Sequence, residues 1–498
     1  GTSGSFGNIT FEEGAAVKLD SNADEDGDLY LNAGNDLSVG GNLSITAGAG
    51  NITQGAAVTV TGTSSFETSA SDADIVLSSE NAFAQKVTLT TFGEGGDATL
   101  DNGTTALIIA ASDVRGDLTL ESGHASGITD ADGETVTVGG NLAATTTANN
   151  GDIDMGTLAV TGTIALTTHA DASNNTSHAT IVNTRAVKLA ASTVDGDFSA
   201  TATTGGITQT GALAITGTTT LLTSADGADI DLSTTTTNAF TGALTITTND
   251  NTDYEAHATI DGGTTALIIA ASTIDGNLTL TSGHNNSTGH AITDSGTVTL
   301  GGNLSATTDA NNGNITLDQL ALASGKTIAL ITNDDAGDNT GHATVKNTTA
   351  LNLALSTIDG NFSGTATNGS ISQTGNLNIT GTATFITTAN NSDIILSQSG
   401  NVFGAQVTMQ AGNGTNFAFG NITFVDSGAV KIETSAGTSA DGDLYLNAST
   451  DLAVGGNLNI TATTGNITQG AAATVTGTST FTTMEVNADI DLATNGTS

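Results

Sequence analysis

The chain has 498 residues with 63 Gly, 3% aromatics and no Pro, Cys or Trp, and its 50 acidic against 8 basic residues give a formal charge of −42. That balance excludes the basic footprint of a nucleic-acid binder and attraction to an anionic membrane surface. The missing cysteines exclude disulfides and thiolate chemistry, and no run of about 18 apolar residues offers a membrane-spanning helix. Divalent cations and cationic surfaces stay open as partners, beside the plainer role of keeping a repetitive β-structure soluble.

In chain order, short strands are predicted wherever apolar residues alternate with Asn, Ser or Thr and a Gly ends the phrase. The clearest phrase runs from Gly41-Asn42-Leu43-Ser44-Ile45-Thr46 to Gly50-Asn51-Ile52-Thr53-Gln54-Gly55. It returns from Gly456-Asn457-Leu458-Asn459-Ile460-Thr461 to Gly465-Asn466-Ile467-Thr468-Gln469-Gly470. Such alternation argues against disorder, which low aromatic content would otherwise suit. Gly7-Asn8-Ile9-Thr10-Phe11 recurs 413 residues on at Gly420, and Gly27-Asp28-Leu29-Tyr30-Leu31 recurs 415 on at Gly442. The two extra residues fall in the loop from Thr434 to Asp441. Residues 7–83 thus resemble 420–498, a superperiod of about 414 residues, and both ends cut through repeats. The expectation is one continuous solenoid over residues 1–498, a window from a longer array.

Inside the superperiod, Asp97-Ala98-Thr99, His178-Ala179-Thr180, His257-Ala258-Thr259 and His342-Ala343-Thr344 mark units 81, 79 and 85 residues apart. Residues 104–111 match 264–271, so the units alternate in flavour. Strand trios such as Asn277–Thr281, Ala291–Asp294 and Thr297–Leu300 predict three short strands per coil. The fold expected is all-β, an elongated parallel β-helix of about 20–27 residues per coil, with about 19 to 24 coils in a rod on the order of 100 Å long. Leu278, Leu280, Val298 and Leu300 should point inward, while outward Thr and Ser suit a strand surface. Gly and Asn should supply positive φ at corners, including the Asp-Gly turns at Asp195-Gly196, Asp275-Gly276 and Asp359-Gly360. Missing Pro suits a ladder whose strands need every N–H. Tandem antiparallel sandwiches are the competing architecture, and they would need bulkier cores.

Four stretches carry a family resemblance: 206–211 (Gly-Ile-Thr-Gln-Thr-Gly), 213–221, 238–246 and 272–280 (Ser-Thr-Ile-Asp-Gly-Asn-Leu-Thr-Leu). They resemble the repeats of giant bacterial exoproteins, the filamentous-haemagglutinin-like surface adhesins, and the resemblance spans essentially the whole chain. It implies a right-handed parallel β-helix, export, and a stalk or fibre at the cell surface. The family's N-terminal secretion domain and a C-terminal membrane barrel are not evident.

Acidic corners are the residues best suited to chemistry. Asp24, Glu25, Asp26 and Asp28 crowd one turn, and Asp441 and Asp443 keep part of it in the second copy. Calcium takes six to eight oxygen ligands, so this corner is a candidate calcium site, although it lacks the nonapeptide and EF-hand patterns. His178, His257 and His342 fill one repeat position, shared by Asp97. Spaced several coils apart they cannot share a metal ion, and they read as corner or capping residues. Thr-x-Thr runs at Thr59, Thr279 and Thr297 raise an ice-binding alternative if they line one flat face. No enzyme is expected, because Lys and Arg are scattered singly and no catalytic motif breaks the repeat. The sequence reading is a structural and adhesive segment of a secreted fibre. Its partners would be copies of itself or adjoining repeats, head to tail, together with a host or neighbouring-cell surface.

Overall fold

A computed structural model describes residues 7–20, 28–29, 37–169, 176–249, 255–285, 290–333, 340–412, 420–433, 443–446 and 452–493. The chain divides into two compact units, Gly1–Asn249 and Asp250–Ser498. Each is a parallel β-solenoid, without helices among the described residues, in coils of about 23 residues. The two units hold about 18 turns between them, fewer than the 19 to 24 expected. Some coils are longer than the alternation alone suggests. Corner residues bonded from one coil to the next lie 34 residues apart at Asn8–Asn42 and 36 at Asn421–Asn457, against 19 at His178–Asp197.

Each coil opens on a longer strand, here the lead strand, and two three-residue strands usually follow. Lead strands such as Leu43–Ala47 and Leu118–Ser122 bury their first, third and fifth residues and turn the second and fourth outward. The buried set forms continuous columns: Leu278, Leu280, Val298 and Leu300 are each 1% exposed. Each full burial of a Leu, Ile or Val side chain is worth about 1.5–3 kcal/mol, and stacking repeats that gain at every rung. Phe rings enter where a column can widen: Phe362, Phe385, Phe403 and Phe424 stack with centroids 5.2, 6.2 and 5.2 Å apart. Gly364 makes room for the first of them, since a Cβ there would sit 2.8 Å from Phe362 Cζ.

Lead strands stack on lead strands for four coils and then change face. In the N-terminal unit Ile9–Glu13, Leu43–Ala47, Ser64–Ser71 and Val87–Phe92 pair in succession. The next lead strand, Ala98–Asp101, stacks instead on Ile75–Leu77, the second strand of the preceding coil. It starts a new column with Leu118–Ser122, Leu142–Thr146 and Ile164–Thr167. The switch recurs where Ala179 and Ile181 pair with Ile153 and Met155. Meanwhile the old lead strand is overlain by the shorter strands, through Ile164↔Leu189 and Thr167↔Thr193. The C-terminal unit switches in the same way at Ile315↔Ala343 and Ile394↔Ile422. The 80-residue block is therefore three coils plus part of a coil, and within each unit the lead strands of successive blocks alternate between two sheets.

Backbone conformation follows the block. The turn after the third lead strand has a left-handed residue at one position each time: Asp72, Asn150, Gly227, Asn312, Asn391 and Asn487, with φ between 59° and 72°. Asn, Asp and Gly are the residues that tolerate this conformation. The Asp-Gly corners differ from expectation, because Gly196 and Gly276 do not adopt positive φ. They are small for clearance: a Cβ on Gly276 would lie 2.3 Å from His257 Nδ1, and one on Gly196 would lie 2.8 Å from His178 Nδ1.

Candidate functional site

The residue just before each of the first two lead strands of a block sits at a coil corner and accepts a hydrogen bond from the backbone N–H at the same corner one coil on. Asn8 Oδ1 accepts from Asn42 N, and Asn42 Oδ1 from Thr63 N, at 2.9 and 3.0 Å. In the next block the row is Asp97, Asp117, Asn141, Thr163, with bonds of 2.7, 2.7 and 2.8 Å. His178, His257 and His342 hold the same place. Their Nδ1 atoms accept the N–H of Asp197, Asn277 and Asn361, each at 2.9 Å. The histidines are corner residues, as the sequence suggested, and their use is specific: each imidazole is an acceptor. Asp197 continues its row by accepting the N–H and hydroxyl of Thr218. Burial pushes its carboxyl up, but those two bonds and then His178 outweigh it and hold the carboxyl below its ordinary range.

Buried amides hold the places where the stacking changes. Asn183, 0% exposed, accepts the Val160 N–H at 2.9 Å and donates to the carbonyls of Val160 and Ala186 at 3.0 and 2.8 Å. One side chain thus replaces both halves of a backbone rung. Asn102 does the same for Phe83, at 2.8 and 3.2 Å. A second device explains the Gln in the Ile-Thr-Gln phrase. Gln54 and Asn81 bond reciprocally through their amides at 2.9 and 3.1 Å. So do Gln209 and Asn238, and Gln373 and Asn401, each pair buried.

Of the candidate calcium ligands, Asp24, Glu25, Asp26 and Asp441 lie outside the described residues. Asp28 and Asp443 open strands whose register makes them Cα partners of Lys18 and Lys431. Among the described residues no group of three or more His, Asp or Glu could hold a metal ion. Also among them, no helix is long and apolar enough to cross a membrane. Two grooves open on the surface of the N-terminal unit. One of about 630 Å³ is lined by Phe92, Glu94, Asp97, Arg115 and Asp117, and Arg115 is already paired with Asp113 at 2.8 Å. The other, of about 340 Å³, is lined by Asp130, Asp132 and Asp154. Burial and then Asp130, Asp152 and Asp132 raise the Asp154 carboxyl above its ordinary range. The outward Thr residues form no single ladder, because each column of lead strands ends after four rungs. Acidic residues also interrupt the columns, as at Glu67 between Thr46 and Thr90.

The family comparison follows the blocks. The model of a family described as repeats of unknown function (DUF5649) matches residues 14–90, 174–247, 340–410 and 420–498. These segments are the first, third, fifth and sixth blocks, so the matched segments keep to the block boundaries. No curated protein and no solved structure matches. With more than half of its length matched, the chain belongs to the family of repeats of unknown function DUF5649.

Proposed function

We propose that this chain is a structural segment of a secreted bacterial surface fibre or stalk, with adhesion as the task of the assembly it belongs to. The observation that carries this reading is the block junction. The described junctions at Ala98, Ala179, Ala343 and Ile422 hand the lead strand to another face through parallel pairing, so that block can follow block. A repeat protein built this way gains stability by nearest-neighbour stacking and has length as its main variable. The resemblance to exported adhesin repeats supports a place outside the cell. Adjoining repeats or further copies, head to tail, are the partners this mode of growth favours.

Immunogold electron microscopy of the native host, with antibody against this segment, tests the proposal. Label along filaments continuous with the cell surface is the expected outcome. Label confined to the cytoplasm, or to compact particles of fixed size in the medium, overturns it.

A further inference from the structure

The corner slot accepts Asn, Asp or His, and these acceptors respond differently to acid. An amide accepts at any pH, whereas an imidazole exchanges its acceptor for a second donor across roughly pH 5 to 7. At His342 the acceptor Nδ1 faces the Asn361 N–H at 2.9 Å. A proton on Nδ1 would set donor against donor and leave that N–H without its partner. Among the described residues, the neighbours offer the imidazolium little in return. Asn314 below it is neutral and is already used, its Oδ1 accepting the His342 N–H at 2.8 Å. Asn361 above it is neutral too. The titratable groups on the elements packed against it are Asp359 in the turn above, Asp318 farther along the strand below and Lys346 on its own strand. His178 is placed differently: Asp197 Oδ2 lies 3.6 Å from its Nδ1, Asp152 accepts its N–H from below, and Asp195 and Asp154 lie on the same neighbouring elements. A protonated His178 gains a carboxylate partner.

We propose that the block start at His342 is an acid-sensitive seam, at which mild acidification breaks the side-chain bond between successive coils. The corner at His178 is the acid-tolerant version of the same joint. The chain supplies its own controls, since Asn421 fills the equivalent slot with an acceptor that does not titrate in this range and bonds Asn457 N at 2.8 Å. Deep in the acceptor role, His342 needs no metal or partner to sense pH.

The test is hydrogen exchange at the Asn361 amide of the full chain, resolved by fragmentation and corrected for intrinsic rate, at about pH 7.5 and about pH 5.5. Wild type should lose about tenfold in protection at the lower pH. His342→Asn should keep its protection at both, and Asn361→Asp, which recreates the His178 arrangement, should lose much less than wild type. His342→Ala should lack the protection at both values while the Asn457 amide stays protected, which reports that the chain is folded. Equal protection of the wild-type amide at the two values, or the same acid loss in His342→Asn, overturns the proposal.

Discussion

The interior of a block and its junction solve the same stacking problem with different residues. At Leu142–Thr146, in mid-block, a lead strand lies between two lead strands, and apolar columns carry the contact. The inward residue at the strand's end is Thr146, whose hydroxyl donates to the Gly151 carbonyl at 2.7 Å and closes the turn. At the junction, Ala179–Asn183 lies on the eight-residue strand Ile153–Val160, which is not a lead strand, and the register shifts between Met155 and Leu158. The backbone there cannot complete its own ladder, and the corresponding inward position is Asn183, which supplies the missing rung. The difference teaches that a buried hydroxyl at this position closes a turn while a buried Asn supplies a missing rung, and that a buried polar group persists where it satisfies the backbone.

Replacing Asn183 with Leu should therefore do the most damage. It strands the Val160 N–H and the carbonyls of Val160 and Ala186, and should cost about 3–5 kcal/mol. Urea unfolding of the full chain would register this as a lowered midpoint, and a change under about 1 kcal/mol would mean that the junction does not depend on its amide. Gly364→Ala strikes the apolar interior instead. The new methyl meets Phe362 at 2.8 Å, so overpacking should cost about 1–3 kcal/mol, read by the same unfolding. Thr146→Val keeps the mid-block shape and removes one bond, for about 1 kcal/mol. If it proved as costly as Asn183→Leu, the contrast between interior and junction would collapse.

The smallest effect has the opposite sign. The Asp154 carboxyl titrates above its ordinary range because of burial first and of Asp130, Asp152 and Asp132 after it. The folded chain thus holds that proton more tightly than the unfolded chain, so the wild type gains stability as pH falls and carries a penalty at neutral pH. Asp154→Asn should raise the thermal midpoint slightly at pH 7, by a few tenths of a kcal/mol given solvent screening at this exposed site. The advantage should shrink between about pH 6 and about pH 4.

The strands were legible in the sequence because period-two alternation maps directly onto faces: Leu278, Leu280, Val298 and Leu300 are buried as their spacing required. The 80-residue unit was legible too. Its relation to the coil was not, since spacings of 79, 81 and 85 were read against a loosely known coil length, and nothing local marks a change of face. A signal did exist. Gln54, Gln209 and Gln373, each ending an Ile-Thr-Gln or Ile-Ser-Gln phrase, are followed, 27 to 29 residues later, by the Asn before Ala82-Phe83, Ala239-Phe240 and Val402-Phe403. Pairing those amides would have fixed one coil's length. The clearance role of Gly196 and Gly276 was hidden because it depends on a side chain in the coil below.

A block that spans three coils and part of a coil has a consequence for how such a chain can change. Within each unit the lead strands alternate between two sheets, so whatever a block displays beside its lead strand lies on the other sheet in the next. Losing or duplicating one block within a unit moves the lead strands beyond it to the opposite sheet. Changes of two blocks restore the original arrangement. Duplication can thus lengthen the array and re-aim its surface in one event.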